Sequence, residues 1–360
     1  MDAIVTGLVS DLPLLFLFIV IAGSLAVLAR GADLLVEEAV TLSIRWGVPK
    51  LIIGATIVSL GTTLPEAAVS VLAAVRGASG LALGNAVGSI IADTGLILGL
   101  ALLIGPIPVK RGMVRPQSWI QFGSAFLLVA VTLPFVRLET ILTEGGRMPR
   151  AAGFVFLALL VLYIHRTIRW SREHRNGFLE EIVPEGEDGK AVDEVAIHGS
   201  RRTSRTLVKL AVGIFLVVAA SHVLIPAVQE TAVRLLVPEA IIAATLVAFG
   251  TSLPELVTVV TAVRKRHGEL ALGNVLGADI LNVLFVSGAA AAVTPGGLHV
   301  PPQFYVLFFP SMIFVVLVLR LGISRSNTEL RRGLGFVLLA AYLVTVVAGY
   351  LVTGDPGVPH

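Results

Sequence analysis

The sequence contains no cysteine. Disulfides, thiol nucleophiles and cysteine-based metal sites are therefore excluded. Charge is also scarce. Charged residues make up 14% of the chain, where a soluble protein carries about 25%. The seven histidines form no HxxxH-type cluster. No Ser/His/Asp set and no glycine-rich nucleotide loop is present, so nothing points to an enzyme or calls for a bound cofactor. The net charge of +3 comes from basic residues in short loops, which is no nucleic-acid signal. What the chain does have is apolar residues: 56% of 360, with a mean hydropathy of +0.91. This composition implies a polytopic membrane protein, with no room for a large soluble domain. The first apolar run lacks a basic leader and a small-residue cleavage site, and it continues toward Ala39. It is expected to be a mature spanning helix.

Apolar runs of about 20 residues, enough to span a bilayer, fall at roughly 13–40, 48–75, 81–105, 117–137 and 150–170. Five more fall at roughly 206–236, 238–263, 269–293, 301–321 and 332–352. The expected fold class is an all-α membrane protein of ten transmembrane helices. Its expected units are 1–170, a cytoplasmic linker at 171–205, and 206–360. Cytoplasmic loops carry the excess of Lys and Arg. Arg45 and Lys50, then Lys110, Arg111 and Arg115, then Arg264, Lys265 and Arg266, then Arg320, Arg325, Arg331 and Arg332 fall on one side if both termini are outside the cell (inner) membrane. Arg137, Arg147 and Arg150 are the exceptions. The acidic stretch LEEIVPEGEDGKAVDEV has no DxDxDG spacing and reads as a solvated linker. Asp33, Glu37 and Glu38 read as interfacial.

The two halves repeat one another. A shift of 189 (244 minus 55) lays ATIVSLGTTLPE from Ala55 on ATLVAFGTSLPE from Ala244. The same shift lays LALGNAVGSIIAD from Leu81 on LALGNVLGADILN from Leu270. A duplicated unit with an odd number of helices gives two inverted repeats, and such proteins hold ions near the midplane on interrupted helices.

The core of the repeat is GTTLPE, Gly61–Glu66, and GTSLPE, Gly250–Glu255. A carboxylate at mid-membrane costs about 2.5–3.5 kcal/mol on insertion scales. Pro65 and Pro254 each remove a backbone donor, so helices 2 and 7 are expected to be broken there. Carbonyls near Ser59 to Thr62 and near Ala248 to Thr251 should then point into the bundle. In lipid they need a polar partner. Thr62, Thr63 and Glu66, with Thr251, Ser252 and Glu255, make an oxygen-only set, which suits Ca²⁺ and Na⁺ rather than Zn²⁺ or Cu²⁺. On the next helix Ser89 and Asp93 are four apart, on one face. Their repeat partners are Ala278 and Asn282. Asp279 stands where the first repeat has Ile90, facing the site, a neighbouring helix or the cytoplasmic mouth.

These residues resemble the α-repeats of the sodium/calcium exchanger family, over roughly Pro49–Ile104 and Pro238–Val293. The resemblance implies a secondary antiporter that exchanges Na⁺ for Ca²⁺ by alternating access, with no cofactor beyond the transported ions. It implies a Ca²⁺ site of Glu66 and Glu255 with the Thr62 and Thr251 carbonyls. It implies Na⁺ sites using the Ser59 and Ala248 carbonyls, Thr63, Ser252 and Ser89, with Asp93 and Asn282 lining the centre and helices 1 and 6 sliding as a gate. The partners are those ions and the bilayer; no nucleic acid is implied and no oligomer is required. Three departures stand out: Ala278 replaces a common serine, the acid of the Asp/Asn pair lies in the first repeat, and Asp279 is extra. A Ca²⁺/H⁺ or K⁺-dependent antiporter of the same superfamily is an alternative, although GNAVG and GNVLG lack the acid of the proton branch. A cation channel or membrane sensor is a more distant one.

Overall fold

The computed structural model describes residues 7, 12–134, 138–173, 199–235, 252–326 and 328–353. The chain is helical, in the order α1 (Leu14–Trp46), α2 (Lys50–Val75), α3 (Ser79–Ile104), α4 (Arg111–Thr132), α5 (Arg150–Glu173), α6 (Gly199–Arg234), α7 (Leu253–Arg264), α8 (Gly268–Val293), α9 (Phe304–Arg325) and α10 (Arg332–Thr353). Eight of these are long and apolar enough to cross a membrane. The other two are α4 and α7. The buried face of α4 is polar, with Gln117, Ser118, Gln121 and Ser124. The described part of α7 is 12 residues long.

Local chemistry sets the turns. Gly47 ends α1 in the left-handed region at φ 61°, where its N–H bonds the Ile44 carbonyl. Pro49 then opens α2, as expected of a glycine stop followed by proline. Several observed boundaries differ from expectation, and α1 runs on to Trp46, past the expected 40. α4 starts at Arg111 and ends at Thr132, because Leu133 is already extended. α6 begins at Gly199, within the expected linker.

α2 does not break at Pro65. Its helix runs unbroken from Ser59 to Val75, and the irregularity is a π turn one step earlier, at Gly54–Val58. A π turn widens the helix and frees carbonyls just as a proline does. The Tyr163 hydroxyl lies 3.2 Å from the Ala55 carbonyl and 3.1 Å from Gln117 Oε1. Thr56 donates to the Ile52 carbonyl at 2.6 Å. Matching π turns interrupt α3 at Ala92–Ile97 and α8 at Asn282–Ser287. Any break of helix 7 upstream of Ser252 lies outside the described residues.

Four loops meet at one end of the bundle. Lys50 approaches His267 at 3.4 Å, Lys110 pairs with Glu269 at 3.2 Å, and Arg111 donates to the Ser326 carbonyl at 2.7 Å. A short antiparallel pair, β1 (Ile107–Pro108) with β4 (Glu329–Leu330), joins the same end. Burial, with Lys50 and Lys265 nearby, holds the His267 imidazole below its usual pKa, which favours the neutral ring beside Lys50. A second pair, β2 (Gly146–Met148) with β3 (Leu298–Val300), ties the α4–α5 loop to the α8–α9 loop.

In the centre, α2 and α8 touch backbone to backbone. A Cβ added at Gly273 would lie 2.1 Å from the Leu51 carbonyl oxygen, and one at Gly277 would lie 2.5 Å from Ala55 Cα. Membrane helices associate through this kind of close packing, because lipid offers no hydrophobic drive between them. On the outside, α1 and α6 run side by side, with Gly31 against Val217 and Gly213 against Leu35.

Candidate ion-binding site

The α2–α8 contact positions the site. Ser59, Thr62, Thr63 and Glu66 lie on the part of α2 just after its π turn, and all four are buried. Ser252 and Glu255, at the start of α7, are buried as well. α3 contributes Ser89 and Asp93, and α8 contributes Asn282, each buried at its own π turn or one turn before it. Thr251 and Ala248 lie outside the described residues.

Side chains from the two repeats face one another. Glu66 lies within charge reach of Glu255 and Asp93. Thr62 and Thr63 of the other repeat lie beside Glu255. Asp93 faces Ser252, again across repeats. Among the described residues, both carboxylate oxygens of Glu66, both of Asp93, Oε2 of Glu255, and the Oγ1 of Thr63, Oγ of Ser89 and Oδ1 of Asn282 have no hydrogen-bond partner. Buried polar atoms in folded proteins are nearly always paired. A cluster of orphaned oxygens from both repeats therefore calls for a ligand that accepts lone pairs, which is a cation.

Some expectations change. The Thr62 hydroxyl is turned to its own helix, 3.2 Å from the Val58 and Ser59 carbonyls, and the Ser59 hydroxyl bonds the Thr56 carbonyl at 3.3 Å. The Ser59 carbonyl is thus already engaged rather than free. No three Asp, Glu, His or Cys among the described residues converge closely enough to hold a metal by themselves. Asp279 is not at a mouth: it is 1% exposed, and it accepts hydrogen bonds from Thr94 and Gln121 at 2.5 Å each. The sequence reading missed Gln117, Gln121 and Thr94. The signal was present in the spacing of Gln117, Gln121 and Ser124, which marks one polar stripe on an apolar helix.

The fold and its buried, oxygen-lined centre define an integral, multi-pass membrane protein of the ion-transporting kind. Residues 16–168 and 206–351 match the family model described as sodium/calcium exchanger protein, so the chain belongs to that family. It is similar to the inner membrane protein YrbG of Escherichia coli, at 32% identity over 91% of this chain and 94% of the relative. It is similar to the sodium/calcium exchanger MaX1 of Methanosarcina acetivorans, at 30% identity over 92% and 97%. Among solved structures it resembles the sodium/calcium exchanger from Methanococcus jannaschii, with a TM-score of 0.75 at 24% identity over 93% of this chain and 99% of that one. A form of the NCX_Mj exchanger soaked with Na⁺ and Sr²⁺ gives a TM-score of 0.73 at 26% identity over the same shares.

Proposed function

We propose that this protein is a secondary antiporter that exchanges Na⁺ for Ca²⁺ by alternating access, with its ions held between the two repeats. The observation that carries the reading is the group of orphaned carboxylates of Glu66, Glu255 and Asp93, which face one another from different repeats in a water-excluded centre. Like charges at such a depth need cations. Glu66, Glu255, Thr62 and Thr251 are the Ca²⁺ set. Ala248, Thr63, Ser252, Ser89, Asp93 and Asn282 serve Na⁺, without the engaged Ser59 carbonyl.

The loop arrangement supports inverted repeats. The α1–α2 and α3–α4 loops share one end with the α7–α8 and α9–α10 loops. The first helix of the first repeat therefore ends where the second helix of the second repeat ends, as inversion requires. Lys and Arg crowd this end, which makes it cytoplasmic and puts both termini outside. Because the chain has no cysteine, single cysteines at positions 2, 190 and 358 can be probed with an impermeant thiol reagent in sealed cells. Labelling at 2 and 358 only is expected; labelling at 190 from outside contradicts the orientation.

The exchange itself is tested in liposomes, with ⁴⁵Ca²⁺ uptake driven separately by outward Na⁺, K⁺ and H⁺ gradients. Uptake driven by Na⁺ is expected. Uptake driven only by a pH gradient, or only when K⁺ is present, overturns the Na⁺ assignment in favour of the corresponding antiporter. Uptake that needs no counter-ion identifies a channel.

A further inference from the structure

The Asp279 cluster lies beside the carboxylate centre but is not part of the set above. Asp279 projects from α8, Thr94 from α3 and Gln121 from α4, so three helices converge on one carboxylate. Its Oδ2 accepts from the Thr94 hydroxyl and the Gln121 amide at 2.5 Å each, and that amide lies 3.3 Å from the Thr94 oxygen. Asp279 Oδ1 and Gln121 Oε1 are buried and have no partner among the described residues. Asp279 and Gln121 are each 1% exposed, and Thr94 is fully buried. Asp279 is also within charge reach of Asp93.

The charges around the centre do not balance. Glu66, Glu255, Asp93 and Asp279 place four carboxylates in one buried region, and none of them takes part in an ion pair found among the described residues. One Ca²⁺ offsets the charge of two. A remaining carboxylate buried without a counter-charge costs several kcal/mol. Two hydrogen bonds lower that cost at Asp279 but leave Oδ1 bare, with an amide oxygen orphaned on the side chain next to it. Carboxylate, amide and hydroxyl oxygens are hard donors. Three protein oxygens with one net negative charge suit a monovalent hard cation, where a divalent ion would demand more charge and more ligands. The repeat alignment points the same way: Ala278 lacks the hydroxyl that Ser89 supplies in the first repeat, and the acid follows at the next position.

We infer that Asp279, Gln121 and Thr94 form an additional Na⁺ site, lateral to the glutamate centre and bridging α8, α3 and α4. Its role in transport rests on the antiporter reading, whereas its existence does not. The purified protein is melted in detergent without Ca²⁺, with NaCl exchanged for choline chloride at constant ionic strength, and again with Ca²⁺ in choline. A ligand that binds the folded state raises Tm in proportion to RT ln(1 + [L]/Kd). In Asp279→Asn and Gln121→Met, the Na⁺-dependent rise should need about tenfold more Na⁺, roughly 1.4 kcal/mol, and should lose steepness. The Ca²⁺-dependent rise should stay within about twofold. Variants that fold as the wild type does in choline and keep the wild-type Na⁺ response overturn the site and leave Asp279 a structural or protonated acid. A rise specific to K⁺ that is lost in Asp279→Asn overturns the Na⁺ assignment. If Asp279→Asn does not fold, Thr94→Val carries the test. It leaves the carboxylate in place and should weaken the Na⁺ response, and an unchanged response overturns the site. Wild-type Na⁺ binding that depends on Asp279, with no Na⁺-driven Ca²⁺ uptake in liposomes, sinks the antiporter reading while this site stands.

Discussion

α3 and α8 share the run LALGN at matching positions of the sequence repeat, yet their asparagines are treated differently. Asn85 donates to the Glu66 carbonyl at 3.1 Å and to the Ser70 hydroxyl at 2.9 Å, so it pins α3 to α2 directly behind the site glutamate. Asn274 is fully buried, and neither of its amide atoms has a partner among the described residues. The position that matches Ser70 is Val259, which has no hydroxyl to offer, and Asn274 makes no counterpart of the Asn85 bond to the Glu66 carbonyl either. The site residues diverge likewise. α3 carries Ser89 and Asp93, whereas α8 carries Ala278, Asp279 and Asn282. One repeat presents a pinned half-site with a central acid. The other has lost a hydroxyl, moved its acid by three positions toward α4, and kept an unpinned amide. The two copies share the LALGN glycine and the glutamates in sequence, but neither the close glycine packing nor the hydrogen-bond partners of their asparagines.

The largest effect is expected where the copies remain alike. Glu66→Gln or Glu255→Gln removes half the carboxylate charge that the pair presents. Loss of one buried charged partner costs about 2–5 kcal/mol, roughly 30-fold to several thousand-fold in Ca²⁺ exchange. Both variants should remain folded in the membrane. Near-normal ⁴⁵Ca²⁺ exchange by either one removes that residue from the site and breaks the equivalence of the halves.

The next effect tests the acid that only the first repeat has at this position. Asp93→Asn should shift the Na⁺ dependence of exchange about tenfold and change Ca²⁺ affinity less, because the glutamates supply the main Ca²⁺ charge. The double exchange Asp93→Asn with Asn282→Asp moves the acid to the other repeat and should recover part of the Na⁺ dependence. If the single variant matches the wild type in Na⁺ dependence, Asp93 is not a ligand.

The asparagines give a smaller effect, read in stability. Asn85→Ala loses two partly buried hydrogen bonds, a cost of about 1–3 kcal/mol, seen as a lower Tm. Asn274→Leu should be close to neutral. Val259→Thr is nearly isosteric and offers Asn274 the missing hydroxyl. In a double-mutant cycle with Asn274→Leu it should show a coupling of about 1 kcal/mol. Equal Tm losses for Asn85→Ala and Asn274→Ala, with no coupling to position 259, contradict the difference drawn here.

The smallest effect lies at the basic end. Lys265 reaches from the end of α7 to Asp33 at 2.9 Å and Glu37 at 2.7 Å on α1, and Lys209 on α6 pairs with Glu38 at 3.0 Å. Burial alone would lower the Lys265 pKa, but hydrogen bonds and charge from Glu37 and Asp33 outweigh it and raise the pKa. These groups are partly exposed, so Lys265→Ala should cost about 0–1 kcal/mol and lose its effect in high salt.

Much of this was legible in the sequence. Eight of the ten expected spans follow from apolar runs, and the nearness of Glu66 to Glu255 follows from the repeat. Proline was a weaker guide than it looked. Pro65 sits inside a continuous helix, and the carbonyls are freed by a π turn at Gly54–Val58 that no residue pattern announced. The glycines of LALGN read as part of a motif, but only the structure assigns Gly273 to the contact with Leu51. Asp279 could not be placed from sequence, because its partners come from α3 and α4, more than 150 positions away. Tertiary contacts of that separation leave no local trace in a single sequence.

The central claim is that Glu66 and Glu255, one from each repeat, share one Ca²⁺. Equilibrium ⁴⁵Ca²⁺ binding to the purified protein tests it most directly, because it counts ions without requiring transport. The account predicts one Ca²⁺ per chain in Na⁺-free buffer, displaced by added Na⁺, and none at the same free Ca²⁺ in either glutamate-to-glutamine variant. Two Ca²⁺ per chain, with one retained when either glutamate is replaced, would mean that each repeat binds its own ion, and would contradict the shared site.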